Sequence, residues 1–275
     1  MNRMSVQAAV TMGQLQNKLD VVAHNLANVD TTGYKNRSAE FSSLLFQQID
    51  NFSEEKNTDG RLTPSGIRLG SGAKLGSTAI NLSIGATKVT DRGLDLALLQ
   101  DNHLLQIDVT ENGVTERRYT RDGSLYLNTM EDGQLGLTTS GGHPVVGENG
   151  PIVLADGAED VSITKDGSIQ VTRNGQTETE GNLAVVQAVR PQMLESAGAN
   201  QFRLPTITEA AYVAEDIIQG VALNDVQIQS GALESSNVDL ATQMTEMIQT
   251  QRAYQFNSRS ISMSDQMSGL VNQLR

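Results

Sequence analysis

The chain of 275 residues has no cysteine and no tryptophan, and only five prolines, five phenylalanines, five tyrosines and three histidines. Without cysteine there can be no disulfide, no thiolate nucleophile, and no thiolate-bound zinc or iron–sulfur cluster. A chain of this length buries enough surface to fold without such staples. No stretch approaches the roughly 20 consecutive apolar residues of a membrane-spanning helix. The N-terminal MNRMSVQAAVTMGQLQNKLD is broken by Gln, Asn and Lys before a signal-type apolar core can form. The expectation is a protein that is not inserted in a membrane and carries no cleaved signal peptide of the usual kind.

Charge is scarce at both ends. Residues 1–30 hold Arg3 and Lys18 against Asp20 and Asp30, and residues 238–275 hold Arg252, Arg259 and Arg275 against Asp239, Glu246 and Asp265. The net charge of −12 therefore falls wholly within residues 31–237. An acidic middle repels phosphate backbones, and no Lys/Arg stripe with interleaved aromatics occurs, so nucleic acid is excluded as a partner.

Catalytic signatures are also missing. His24 is at an outward helical position, His103 in the polar bend QDNHLLQID and His143 in a turn before Pro144, each read as a surface residue. No two of them share metal-ligand spacing. Asp156, Glu159 and Asp160 lack the alternate-residue spacing of a calcium loop. Gly70, Gly72 and Gly76 read GSGAKLG, one residue too long for a dinucleotide fingerprint, and no G-x-S-x-G or Walker sequence occurs. The expectation is no catalytic residue, no cofactor-binding residue, no metal and no enzyme activity.

What is present is helical periodicity at both ends. Met12, Leu15, Leu19, Val22, Leu26 and Val29 recur with spacings of 3 and 4, an a/d seam narrow enough to suggest a helix partner. From Val238 onward, Leu240, Met244, Met247, Tyr254 and Ile261 form one stripe, and Phe256, Met263, Met267, Leu270 and Leu274 a second, offset one. The other faces carry Gln and Asn rather than Glu and Lys. Neutral polar groups cost less to bury than charges, so these faces are expected to meet copies of the same chain.

Between the helices, turn dipeptides fall at Asn112-Gly113, Asp122-Gly123, Asp132-Gly133, Asn149-Gly150, Asp156-Gly157, Asp166-Gly167 and Asn174-Gly175, mostly 7 to 10 residues apart, which is hairpin spacing. The predicted fold is mainly β with terminal α-helices paired as a coiled coil, a central all-β domain and an extended linker. Its divisions are an N-terminal helix (1–30), a linker or joint segment (31–93), a central β domain (94–220), a return linker (221–237) and a C-terminal helix (238–275). The stretch 52–66, FSEEKNTDGRLTPSG, reads as a mobile loop.

LANVDTTGYK, following the heptad helix, resembles the A-N-x-x-T-x-G-Y-K signature of the flagellar rod and hook protein family, matched here by Ala27, Asn28, Thr31, Gly33, Tyr34 and Lys35. GALESSNVDLATQMTEMIQTQRAYQFNSRSISMSDQM resembles the family's C-terminal segment. LDLALLQDNHLLQIDVTENGVTERRYTRDGSLYLN is similar to its β-domain opening, with His103, Leu104 and Leu105 in place of the usual Gly-aromatic-aromatic. TPSGIRLGSGAKLGST, Thr63 to Thr78, is closer to the distal-rod branch of the family than to the proximal one. The resemblance covers nearly the whole chain.

It implies a structural, non-enzymatic subunit of the basal-body rod, assembling with copies of itself into a hollow helical tube that carries torque for motility. It also implies other rod and hook proteins as partners, a place outside the cytoplasmic membrane, and passage through the flagellar type III export apparatus. Phe41 to Leu45 is a counterpart of the family's export-gate element. Two alternatives remain open at this point: a proximal rod or hook-type axial subunit, and a secreted β-rich adhesin or glycan-binding module on a coiled-coil stalk.

Overall fold

The computed structural model describes residues 3–43, 47–49, 67–69, 73–130, 133–198, 200–205 and 213–273. It is mainly β with one long helix at each end: α1 (Arg3–Ala27), a single turn α2 (Ala214–Ile217) and α3 (Leu240–Gln273). None of the described helices is long and apolar enough to cross a membrane. Two compact units form, one from the described parts of Met1–His24, Ser38–Ala79 and Ala241–Arg275, the other from Asn25–Arg37 and Ile80–Leu240.

In the first unit, Met12, Leu15 and Leu19 of α1 are half-buried and Val22 is buried. Gln16 Nε2 donates to the Tyr254 hydroxyl at 3.3 Å, and Lys18 reaches Glu246 of α3 at 3.8 Å and the Phe41 ring at 5.7 Å. The covered stripe of α3 differs from the expected one. Gln243 and Thr250, each only 4 % exposed, alternate with half-buried Met247, Tyr254 and Ile261, while Met244 is 48 % exposed. Polar side chains tolerate this line because the helix itself satisfies them: Thr250 Oγ1 donates to the Glu246 carbonyl at 2.7 Å and Asn257 Nδ2 to the Ala253 carbonyl at 3.0 Å. With Gln243 inside, Leu240 and Met244 are exposed, and so, further round the helix, are Phe256, Met263, Met267 and Leu270.

The stretch expected as an extended linker contains paired strands. Arg37–Ser43 pairs with Ala73–Ile80, and Gln47–Ile49 runs antiparallel to Ile67–Leu69. Pairing gives the extended backbone partners for its N–H and C=O groups. Leu45 and residues 50–66 lie outside the described residues, and with them the whole of the expected mobile loop.

The second unit centres on six antiparallel strands in the order Glu195–Gly198, Gln201–Arg203, Val114–Thr120, His103–Glu111, Val185–Ala188 and Ile218–Gly220. Successive side chains face opposite ways, so adjacent Leu104 and Leu105 serve different cores. Leu105, Ile107 and Val109 pack with Leu125, Leu137, Val161 and Ile169. Leu104 packs with Leu82, Tyr119, Val186 and Phe202 on the other face. Each large side chain buried in this way contributes about 1.5–3 kcal/mol. Cover on both faces also explains why His103 is not in a polar bend: it opens a central strand and is 3 % exposed.

Four of the seven turn dipeptides close hairpins, and Asp132 of a fifth lies outside the described residues. In the two-residue turns Asn112-Gly113 and Asn174-Gly175 both residues have positive φ, joining Glu111 to Val114 and Arg173 to Gln176. Asp122-Gly123 and Asp156-Gly157 instead join strands that do not pair with each other. Gly123 is needed for another reason, since a Cβ there would stand 1.8 Å from the Leu96 carbonyl oxygen. The chain then returns through Ile228–Ser230, paired with Leu96–Leu98, and Ala232–Glu234, paired with Thr87–Val89.

Candidate functional site, a buried clamp

The family-like signature begins where α1 ends. Asn28 Oδ1 accepts the Thr31 hydroxyl at 3.2 Å and the Thr31 amide donates to the Asn28 carbonyl at 3.2 Å, a local turn that stops the helix. Ala27 beside it is exposed. Gly33 then takes φ +66°, and a Cβ at this position would lie 2.6 Å from the Asp122 amide nitrogen and 2.8 Å from the Arg121 carbonyl. Only glycine meets both demands. The Gly33 amide donates to the Glu234 carbonyl at 2.8 Å, which lays the helix exit alongside the C-terminal return.

Tyr34 and Lys35 turn inward. The buried Tyr34 hydroxyl donates to Asn25 Oδ1 at 3.0 Å, and burial pushes its ionisation upward, with Arg37 pulling the other way. Lys35 Nζ is fully enclosed, donating to Glu234 Oε1 at 2.5 Å and to the Ser83 carbonyl at 2.6 Å. Glu234 Oε1 also accepts the Gly85 amide at 2.7 Å, and its Oε2 accepts Arg121 Nε at 2.6 Å. Arg121 continues to the carbonyls of His103 (2.7 Å) and Leu98 (3.0 Å). Burial holds the Lys35 ammonium below the ordinary lysine range; Glu234 draws it back up and Arg121 pushes it further down. One carboxylate thus serves two enclosed cations, and the carbonyls of Ser83, His103 and Leu98 accept from them as well.

Two asparagines complete the clamp. Asn25 accepts from the Arg37 amide at 3.1 Å and donates to Asn36 Oδ1 and the Arg37 carbonyl, both at 2.8 Å. Asn237 accepts from the Asn36 amide at 2.7 Å and donates to the carbonyls of Asn81 (2.9 Å) and Ser83 (3.0 Å). Thr32 adds two ties, to Asp122 through its hydroxyl at 3.3 Å and to Asn200 Nδ2 through its carbonyl at 2.9 Å.

The structure therefore brings Asn28, Thr31, Gly33, Tyr34 and Lys35 into one assembly, with Leu26 and Val29 half-buried beside them. The other seam residues, Met12, Leu15, Leu19, Val22, Met244, Met247, Tyr254 and Ile261, belong to the helical unit. Sequence reasoning missed Asn25, Arg121, Glu234 and Asn237. The available signal was weak: a Glu in the neutral stretch GALESSNV and an Arg before Asp122-Gly123, 113 residues apart. Among the described residues, no group of three or more His, Asp or Glu is placed to hold a metal ion.

A network of this kind holds backbone segments together: within the β unit it ties residues 25–37 to the return segment before α3, the arrangement of a scaffold-type protein. Family models match three stretches: flagella basal body rod protein over residues 8–35, flagellar hook protein FlgE/F/G D1 domain over 102–171, and flagellar basal body rod FlgEFG protein C-terminal over 229–274. The flagellar hook-basal body complex protein FlhP of Bacillus subtilis is 41 % identical over 281 residues, covering 100 % of each chain. The flagellar basal-body rod protein FlgG of Caulobacter vibrioides is 33 % identical with 98 % of this chain and 97 % of its own covered, and FlgG of B. subtilis 35 % identical with 95 % of each. The chain belongs to the flagellar basal-body rod protein family. It is a structural protein and not an enzyme. Each matched stretch supplies one charged member of the clamp: Lys35 from the first, Arg121 from the second and Glu234 from the third.

Proposed function

We propose that this chain is a structural subunit of the flagellar rod, of distal-rod type, polymerising with its own copies and joining other axial proteins in a hollow shaft that transmits torque. The observation that carries the reading is the clamp, which joins one charged residue from each family stretch inside the β unit. In this reading Met12, Leu15, Leu19 and Val22 form a coiled-coil seam with Met247, Tyr254 and Ile261, supported by the Gln16–Tyr254 and Lys18–Glu246 contacts, and Leu26 and Val29 continue its spacing in the sequence. Met244, exposed here, and the row of Phe256, Met263 and Met267 are left to meet sister subunits. The divisions at 1–30, 31–93, 94–220, 221–237 and 238–275 are kept as the working domain plan. Export proceeds without a cleaved signal peptide through the type III apparatus, and the segment 31–78 sets the stiffness of the joint between protomers. Deleting Glu54 to Gly60, outside the described residues, is expected to soften the assembled shaft in bending measurements.

A second reading, a hook–basal body component nearer to FlhP than to FlgG, is favoured by the higher identity to the B. subtilis FlhP (41 %) than to the FlgG of the same organism (35 %). The test is to remove residues 1–24 or 241–275 in the source cell. Swimming is expected to stop while the purified chain keeps the circular-dichroism signature of its β unit. Normal swimming after either truncation overturns the proposal, and gentle extraction showing the chain in the rod or in the hook separates the two readings.

A further inference from the structure

His103 is an enclosed imidazole that the clamp does not use. Its backbone carbonyl holds Arg121 Nη1 at 2.7 Å, whereas its ring Nδ1 meets no hydrogen-bond partner among the described residues. The groups around it are few. Gln187, directly opposite on the adjacent strand, is neutral. Asp101, two residues upstream on the same turn, has its Oδ1 engaged by the Ile84 amide at 2.8 Å. From the segment after Val114–Thr120 comes Arg121, which is committed to Glu234; Glu234 in turn holds Lys35. The His103 carbonyl thus sets the ring beside Arg121, in a cluster where Glu234 is bonded to both cations and Asp101 also attracts Lys35.

We propose that His103 is an acid-sensitive release for the clamp: protonating its enclosed ring, whose Nδ1 has no acceptor among the described residues, adds a third cation beside Arg121 and Lys35, and loosens residues 33–37 from the C-terminal return. The direction of the effect follows from proton linkage. Burial first, and Arg121 second, hold the His103 imidazole below the ordinary histidine value of about 6.5. The folded clamp therefore takes up this proton less readily than the unfolded chain does. The stability contributed by the neutral ring is fully present above about pH 6.5, and is lost as pH falls from there towards the lowered folded value.

Three amides report the clamp directly: Gly33 (acceptor the Glu234 carbonyl), Gly85 (acceptor Glu234 Oε1) and Asn36 (acceptor Asn237 Oδ1). The experiment is nuclear magnetic resonance of the labelled full-length chain from pH 7.5 to 5, following the His103 ring and hydrogen exchange at these amides, corrected for the intrinsic pH dependence of exchange. The expected result is a His103 midpoint below about 6.5, with protection at the three amides falling in the same window by about tenfold for each pH unit that the midpoint lies below that value. A His103→Gln chain that folds should keep its protection flat over that range. A ring that titrates at or above the ordinary value overturns the proposal, as does unchanged amide protection through the titration. Should His103→Gln fail to fold, the unmodified chain still decides. Because the readout is on the isolated chain, failure here leaves the rod assignment untouched.

Discussion

Gly33 shows how one residue can be required twice over, by its left-handed backbone and by the lack of room for a Cβ against Arg121 and Asp122. Left-handed backbone alone costs a residue with a Cβ about 1–2 kcal/mol. Gly33→Ala is therefore expected to lower stability by at least about 2 kcal/mol in urea unfolding, since the overlap with neighbouring backbone adds to it. At Glu234 the argument is electrostatic. Glu234→Gln keeps the shape but leaves Lys35 and Arg121 enclosed without a counter-charge, and breaking a buried ion group in this way costs about 3–5 kcal/mol. Mutant cycles between Glu234→Gln and Lys35→Met should show strong coupling, because removing the lysine first relieves part of the same charge imbalance. Additive losses in the cycle would mean that the two residues act separately.

At the level of the element, α3 has a covered line that is half polar and an open side that is strongly apolar, with Phe256 69 % exposed. A helix in that state has little to hold it in the single chain. Replacing Gln243 and Thr250 by Leu is expected to raise amide protection along α3 and to stabilise the monomer by up to about 1 kcal/mol per site, below the full value for burying a leucine because satisfied polar groups are lost. Replacing Met263 and Met267 by Ser should leave monomer stability within about 0.5 kcal/mol, as surface changes do, while impairing polymerisation. Equal effects on the monomer and on the polymer would show that the apolar side has no partner.

For the molecule as a whole, the boundary of the β unit matters most. Residues 25–37 belong to it and not to the helical unit, although 25–27 are still helix. A chain beginning at residue 25 is expected to keep the cooperative melt of the β unit. One beginning at residue 38 loses Gly33, Tyr34 and Lys35 and leaves the enclosed Glu234 and Arg121 facing a gap. Its melting temperature should drop well below that of the longer chain, and equal melting temperatures would show that the clamp contributes nothing to the β unit.

The helical ends of this protein are legible in its sequence, because helical periodicity is local: each seam residue is identified by neighbours three or four positions away. The β character of the middle is legible for the same reason, in turn dipeptides such as Asn112-Gly113 and Asn174-Gly175 whose backbone demands are short-range. The signature Asn28 to Lys35 is visible as a pattern, yet its purpose is not. Lys35 acquires its role from Glu234, 199 residues away, and from Arg121, which only the sheet topology brings beside it. His103 departs from its expected surface position because burial on both faces of a sheet depends on what packs there, not on the polar residues that flank it in sequence. Local propensity is written along the chain, whereas the pairing of distant charges and the enclosure of a ring are settled only when the folded layers exclude water.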